Sequence, residues 1–542
     1  MPKRRTYIFV TGGVMSGVGK GVATASIGAM LKARGLRVTA VKIDPYVNID
    51  AGTMNPVEHG EVFVTKDGYE TDQDIGNYER FLDEDITREN YMTTGVVYLS
   101  VIQRERSLGY GGKTVEVVPH VPLEVVDRIK KAAELHNADV TIIEIGGTVG
   151  EYQNILFLEA ARIMKNEKPQ DVLIGLVSYL PIPGNLGEMK TKPTQYAVRT
   201  LNSTGLQPDF IIGRSPAPID VPRKQKIAIN CSMQAEDIIS APDVSSIYDV
   251  PLHFNTEGLC QRIIKKLRLK AKPLDATAWN QLVSRIHTAS KPVKIGIVGK
   301  YVSTGDFTLT DAYLSVLEAV KHASWSLGRK PEIVWLNSEE LEQHPKQLAQ
   351  VMKGIDAILV PGGFGTRGIE GKIMAIQYAR EHRIPYLGLC YGLQLATIEC
   401  ARHLLGLQKA NTTEIDPKTP DPVIHLINEQ TERLKDKKYG GTMRLGTYPC
   451  LLRRGSMAAK LYGSEKIDER HRHRYECNPE YREALEKVGL IASGLSPDGS
   501  LVEIVELKNH PFFVASQFHP EFLSRPFHPH PLFVGFIKAA IK

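Results

Sequence analysis

At 542 residues the chain is several times longer than a domain of roughly 100 to 200 residues, which excludes a single small domain. Hydrophobic residues at 42% and charged residues at 24%, with 46 Gly and 32 Pro, fit a globular protein and exclude a disordered or collagen-like one. The net charge of +6, from 67 Lys plus Arg against 61 Asp plus Glu, supplies no electrostatic case for nucleic acid, so any anion site must be local.

In chain order, the basic start MPKRRTYIFVTGG has too short an apolar stretch for a leader and runs straight into glycines. A strand is expected at 7–10, a helix at 23–34 and strands at 38–43, 140–145 and 172–179. That alternation reads as an α/β unit with a mostly parallel sheet. A second series begins at KIGIVGKY near 294 and continues through AILVPGGFG (357–365), IPYLGLCYG (384–392) and FFVASQFHPE (512–521). Between the two, a basic helical pattern with a proline-containing stretch reads as a linker at 271–292, dividing the chain into 1–270 and 293–542. Residues 415–438, charged and rich in proline, read as a loop. Six scattered cysteines without a CxxC pair point to a reducing compartment, and no run of ~18 apolar residues offers a membrane span, so a cytoplasmic location is expected.

Two constellations carry chemistry. The first is Gly12-Gly13-Val14-Met15-Ser16-Gly17-Val18-Gly19-Lys20-Gly21, between a strand and an Ala-rich helix. Glycines let backbone N–H groups turn toward a phosphate, and the helix N-terminus favours the anion. It departs from a Walker A loop, because Gly21 stands where Ser or Thr would hold Mg2+. The cation then needs carboxylates from elsewhere, and Asp74 and Glu144 are the candidates, Glu144 because it ends an apolar strand. Lys190-Thr191-Lys192-Pro193-Thr194-Gln195 suits a polyphosphate and a polar base, although a helix start with exposed lysines would read the same way.

The second is Gly388-Leu389-Cys390-Tyr391-Gly392, spaced as a nucleophile elbow. A free thiol is only a few per cent thiolate at neutral pH, so a base is required. His519 with Glu521 in QFHPE supplies it, with the two side chains on one side if the segment is extended. The turn 361–365 offers N–H groups for an oxyanion. The alternating RHRHR at 470–474 lacks metal-ligand spacing and, alone, reads as a solvated basic face.

Taken together, TGGVMSGVGKG, ETDQDIGNYERF, EIGGTVG, GEMKTKPTQ, PGGFGTRGIEG, GLCYGLQLA, GGTMRLG, ERHRHRYE and FHPEF closely resemble the CTP synthase family over about residues 5 to 525. The resemblance implies a Rossmann-like P-loop amidoligase domain followed by a flavodoxin-like class I glutamine amidotransferase domain. It implies that ATP phosphorylates O4 of the UTP base and that ammonia from L-glutamine, or free ammonia, displaces the phosphate to give CTP. By the same resemblance Ser16, Gly17, Val18, Gly19, Lys20, Gly21 and Asp74 bind ATP, Asp74 and Glu144 hold Mg2+, and Lys42 supports phosphoryl transfer. Ser16, Glu151, Tyr152, Gln153, Lys190, Thr191, Lys192, Pro193, Thr194, Gln195 and Lys226 match UTP and CTP positions. Cys390, His519 and Glu521 are catalytic, and Gly363, Tyr391, Gly392, Leu393, Gln394, Glu414 and Arg474 match glutamine positions. GTP activation, CTP feedback inhibition and a homotetramer are also implied. Two departures stand out: Gln153 replaces a usual acidic residue, which bears on CTP feedback, and the segment 430–439 before Gly440 is short beside the family's lid loop, which bears on GTP activation. Rival readings are a GMP synthase, which would carry an SGGxDS loop, a cobyrinate-type amidase, which would lack KTKPTQ, and a catalytically silent filament or assembly protein on the same fold.

Overall fold

The apolar runs form strands Thr6–Gly12, Val38–Asp44, Val140–Ile145 and Val172–Tyr179, with almost every side chain buried, as in strands covered on both faces. The computed structural model describes residues 3–184, 187–300, 303–304, 307–308, 311–363, 365–426 and 441–542. They group into two compact units, Met1–Asp50 with Asn77–Val283, and Ala51–Gly76 with Ser284–Lys542.

The first unit is built on a seven-stranded, wholly parallel sheet. Its order is Tyr91–Thr93, Val38–Asp44, Val140–Ile145, Thr6–Gly12, Val172–Tyr179, Phe210–Ser215, Ile238–Pro242. On one face Ile143, Ile174 and Val41 pack with Val125, Ile129 and Phe157 of two helices. On the other, the helix Lys20–Lys32 comes so close that a Cβ on Gly28 would lie 2.8 Å from Leu82 and 3.5 Å from Ile142. From the opening strand the chain winds to one side of the sheet, and after Val140–Ile145 it crosses to the other. The strand order therefore reverses around Thr6–Gly12, and the crevice beyond its carboxyl end is where such sheets bind ligands.

The second unit holds a nine-stranded sheet. Five parallel strands, Arg329–Asn337, Lys291–Gly299, Ala357–Val360, Tyr386–Leu389 and Phe513–Ser516, continue into four antiparallel ones, Val502–Leu507, Leu490–Leu495, Arg444–Leu452 and Lys466–His473. Alternate residues serve two cores: Ile358, Val360 and Tyr386 pack with Ile373 and Leu393, while Leu359, Leu387 and Val514 pack with Val320 and Phe536.

Two local expectations change. Residues 51–76 group with the second unit, not with the rest of 1–270. The hairpin Val62–Val64 and Glu70–Asp72 explains this: Phe63 meets Phe522 at 5.0 Å between ring centroids, and Thr447 N–H donates to Lys66 O at 3.0 Å. Within the expected loop 415–438, Pro422–Leu426 is a strand that pairs with Asn411–Thr412 and Tyr475–Cys477. The short segment 430–439 lies outside the described residues, as does Phe364. The stretch 271–292 carries a helix, Thr277–Thr288. All six cysteines are buried and free, and among the described residues no helix is long and apolar enough to cross a membrane.

Candidate active site

Cys390 follows Tyr386–Leu389 directly, and His519 follows the adjacent parallel strand Phe513–Ser516. Neighbouring carboxyl ends thus bring together residues that are far apart in the chain. The Cys390 backbone takes φ 50°, ψ −96°, the strained turn of an elbow, and its N–H is held by Ser516 O at 2.7 Å. The flanking glycines are sterically required: a Cβ on Gly388 would lie 2.6 Å from Tyr386 Oη, and one on Gly392 only 2.3 Å from Val360 O. The Cys390 thiol donates to Arg472 O at 3.8 Å and accepts from Gln517 Nε2 at 3.7 Å.

His519 Nδ1 pairs with Glu521 Oε1 at 2.7 Å. The route to this pair is not an extended segment. The strand ends at Ser516 and Pro520–Leu523 is a 3-10 turn, which Pro520 favours by fixing its own φ, so the turn delivers Glu521 to the ring. Burial opposes the charged imidazole, but the Glu521 carboxylate and the Cys390 sulfur outweigh it and lift the His519 pKa to about 10. Both side chains face Gly362, where a Cβ would sit 2.9 Å from His519 Cε1 and 3.7 Å from Cys390 Cβ.

A cavity of about 440 Å3 opens on one side of Cys390, lined by Gly363, Gln394, Glu414 and Arg474 together with Gly52, Thr53, Met443, Arg472 and Tyr475. Gln394 is fixed by donation to Tyr475 O at 3.0 Å, and Glu414 Oε1 accepts the Gly365 N–H at 2.9 Å. Burial raises the Glu414 pKa, against the Gly365 bond and the charge of Lys300. Tyr391 reaches the same glycine turn through its hydroxyl, 3.2 Å from Gly365 O. Leu393 instead belongs to the core, and Gly392 packs against Val360. A second cavity, about 70 Å3, touches Cys390 and His519 from the side of Pro56, Val62, Tyr313, Val316 and Phe522.

The basic stripe at 470–474 is not a solvated face. Arg470 and His471 are fully buried, and Arg472 Nε pairs with Glu70 Oε1 at 2.9 Å. Gly52, Thr53, Glu70 and Arg472 escaped the sequence reading because Glu70 lies 402 residues from its partner and no local pattern marks the pair.

In the first unit, the turn after Thr6–Gly12 places Gly17 and Gly19 at φ 68° and 87°, which favour glycine. Lys20 opens the following helix and its Nζ donates to Gly147 O at 2.9 Å. Glu144, 1% exposed, accepts from Lys42 Nζ at 3.0 Å and from the Tyr78 hydroxyl. A buried carboxylate at a strand end therefore has the partners that burial demands. The loop 146–153 and the segment 187–195 follow the strands on either side of the opening one, so three adjacent carboxyl ends carry the expected phosphate, Glu151 and lysine positions.

Glu151 accepts from Thr148 N–H and Oγ1 at 2.8 and 2.6 Å and from Gln153 Nε2 at 2.9 Å. Burial pushes its pKa up, but these bonds and Lys20 hold it below the usual range. Ser16 and Tyr152 are exposed. Thr191 immediately precedes the helix Lys192–Ser203 without a side-chain bond to its backbone, Pro193 lies in the first turn, Lys190 pairs with Glu188 at 2.7 Å, and Gln195 donates to Thr191 Oγ1 at 3.1 Å. Thr194 bonds Ser178, and Lys226 is exposed on the helix Val221–Asn230. Arg214, which the sequence reading passed over, lies 3.6 Å from where a Cβ on Gly19 would stand. Asp74 is in the other unit, in the first turn of the helix Gln73–Leu82, with its N–H bound by Asp72 at 2.8 Å.

Comparison with known proteins adds family evidence. The model for the CTP synthase N-terminus matches residues 6–269, and that for class I glutamine amidotransferases matches 308–539. A CTP synthase of Carboxydothermus hydrogenoformans is 52% identical over 537 residues, 99% of this chain and 98% of its own length. One of Methanococcus maripaludis is 51% identical over 541 residues, 99% of each chain. A solved glutaminase domain of Trypanosoma brucei CTPS with bound acivicin is 38% identical, covering 46% of this chain and 94% of that one, with a TM-score of 0.41. With a crevice-bearing parallel α/β unit followed by one that carries a cysteine elbow, and identity of about half over nearly the whole length, the chain belongs to the CTP synthase family, glutamine-hydrolysing ligases that convert UTP to CTP in pyrimidine biosynthesis.

Proposed function

We propose that the glutamine-dependent conversion of UTP to CTP is divided between two sites, a thiol glutaminase at Cys390 and a phosphoryl-transfer site at the turn 12–21. The observation that carries this reading is the meeting of Cys390 and His519 at adjacent strand ends, beside a cavity bearing Glu414 and Arg474. In it, Arg474 pairs the α-carboxylate of glutamine, Glu414 faces the α-amine, and Gln394, Tyr391 and Gly363 complete the seat. The Cys390 sulfur adds to the amide carbon, His519 gives its proton to the leaving ammonia, and Glu521 holds the ring. The acyl-enzyme is then hydrolysed to glutamate. The small second cavity on the far side of the pair supports an internal exit for ammonia.

At the other site Lys20 and the glycine turn hold ATP phosphates, and Glu151, Gln153, residues 190–195 and Lys226 hold UTP or CTP. The γ-phosphoryl moves to O4 of UTP; ammonia attacks C4 and inorganic phosphate leaves. Asp74 and Glu144 would hold Mg2+, which when bound neutralises triphosphate charge. Their oxygen donors suit the cation. Mg2+ commonly takes one or two carboxylates and draws its remaining ligands from phosphates and water. Exposed Leu99, Ile102, Leu108, Val117 and Val118 of the first unit support contact with another subunit, and the family resemblance makes the assembly a homotetramer. CTP inhibition, GTP activation and a cytoplasmic setting, the last supported by six unpaired cysteines, complete the reading.

The test is Cys390→Ala. Glutamine-dependent CTP formation should vanish while formation from free ammonia persists. Equal loss of both in a folded variant would overturn the division of labour.

A further inference from the structure

Behind the glycine turn lies a lysine that the reaction as described does not use. Lys372 sits in the first part of the helix Ile369–Glu381 and is 0% exposed. Among the described residues no hydrogen-bond partner reaches its Nζ. A buried amine without an acceptor is costly, and such a group calls for an explanation.

Its surroundings supply one. The Nζ lies 3.8 Å from where a Cβ on Gly363 would stand and 5.5 Å from the centre of the Tyr391 ring. Lys300 Cε approaches the same Gly363 position at 3.7 Å. Gly362, one residue earlier, faces the opposite way, toward His519 Cε1 and Cys390 Cβ. The backbone here is one peptide thick, with the nucleophile and base on one side and the lysines on the other. Glu414 pins the far end of the turn through the Gly365 N–H.

We propose that Lys372 is a positioning residue for glutamine hydrolysis: its ammonium, behind the Gly362–Gly363 peptide, draws carbonyl dipoles of the turn toward itself and so presents N–H to the oxyanion that forms at Cys390. This rests on Cys390 as the nucleophile, as proposed above. A cation on the Gly363 side favours carbonyl oxygen on that side and leaves N–H for the other, where negative charge develops. The Tyr391 ring face gives the ammonium a favourable seat without competing for the turn. Burial and the neighbouring Lys300 push the Lys372 pKa down to about 7, so the charge responds to nearby negative charge, which restores the proton. Glycine at 363 keeps the gap between turn and lysine open.

The decisive variant is Lys372→Met, close in size and without charge. Removing an unpaired buried charge should leave the melting temperature unchanged or raise it. The kcat for glutamine hydrolysis should fall roughly 10- to 100-fold, less than the loss of a direct oxyanion donor, with KM changed by less than about twofold. Glutamate γ-semialdehyde, whose carbonyl accepts the Cys390 sulfur to give an adduct with the oxygen in the oxyanion position, should bind correspondingly more weakly. Ammonia-dependent CTP formation should stay at the wild-type rate. Unchanged kcat and unchanged aldehyde affinity would overturn the proposal, as would parallel losses of kcat, glutamine affinity and ammonia-dependent activity, which would mark a packing role. If the Met variant does not fold, Lys372→Gln is read by the same four measurements. The two assignments fail differently. A Cys390→Ala enzyme that still hydrolyses glutamine removes the nucleophile itself, whereas an inactive Cys390→Ala beside a normal Lys372→Met removes only the role of Lys372.

Discussion

At position 519 burial and charge act in opposite directions on one imidazole, and charge wins. A folded-state pKa of about 10, above the ordinary ~6.5, means that the protonated ring stabilises the fold fully below pH ~6.5 and that this contribution is lost as pH rises toward about 10. Glu521→Gln removes one of the two influences that raise it. The alkaline limb of glutaminase activity should therefore move to lower pH, and the stability gap between wild type and variant should be widest in acid and close in alkali. A limb that stays in place would detach Glu521 from the ring. At 153, the amide donates to Glu151. Gln153→Glu exchanges that donor for a second carboxylate, which turns toward other donors and accepts at charge-assisted strength. CTP inhibition should strengthen by roughly tenfold, more than the apparent affinity for UTP changes, in a CTP titration at fixed UTP. Unchanged inhibition would show Gln153 to be silent. Cys390, His519 and Glu521 were legible because each sits in a short local pattern. Lys372 was not, because a lysine in a helix reads as a solvated charge until the fold buries it.

Elements were most legible where buried on both faces. Strands such as Val140–Ile145 announce themselves as continuous apolar runs, and the turns after them as glycine clusters. The antiparallel extension was opaque: Lys466–His473 reads KIDERHRH, with no apolar alternation to follow. Its buried polar groups, and those of the strands beside it, pair with one another: His471 Nδ1 pairs with His473 Nε2 at 2.8 Å, and Arg444 with Glu476 and Glu503 at 3.2 and 2.8 Å. Polar complementarity across strands leaves no periodic signal along one of them. At the elbow, Gly392→Ala drives a Cβ to 2.3 Å from Val360 O, and backbone cannot yield as a side-chain tip can. Stability should fall by about 1 to 3 kcal/mol in chemical denaturation, and glutaminase activity with it. At the phosphate turn, Lys20→Ala and Glu144→Gln should lower both glutamine- and ammonia-dependent CTP formation by orders of magnitude while basal glutamine hydrolysis persists, since phosphoryl transfer depends almost wholly on positioning and charge. Near-normal ammonia-dependent turnover in either variant would strip that residue of its assigned role.

For the whole molecule, the two-unit division emerged from the sequence, but its discontinuity did not. Residues 51–76 are held in the second unit by Phe63 on Phe522 and by Glu70 on Arg472, contacts between positions hundreds of residues apart. Glu70 accepts from Arg472, whose own carbonyl accepts from the Cys390 thiol. Expressed alone, a fragment spanning 284–542 lacks the hairpin, so its melting temperature and glutaminase activity should both fall below those of the same unit in the full chain. Equal values would show the hairpin to be dispensable. The hairpin also imposes an order in time. A ribosome adding about 5 to 20 residues per second releases Glu70 some 20 to 80 s before Arg472, which lies 402 positions later. For most of a minute, then, the nascent chain carries Phe63 and Glu70 with no counterpart yet made, and synonymous codons that slow elongation between positions 70 and 472 would lengthen that exposure without altering a single amino acid.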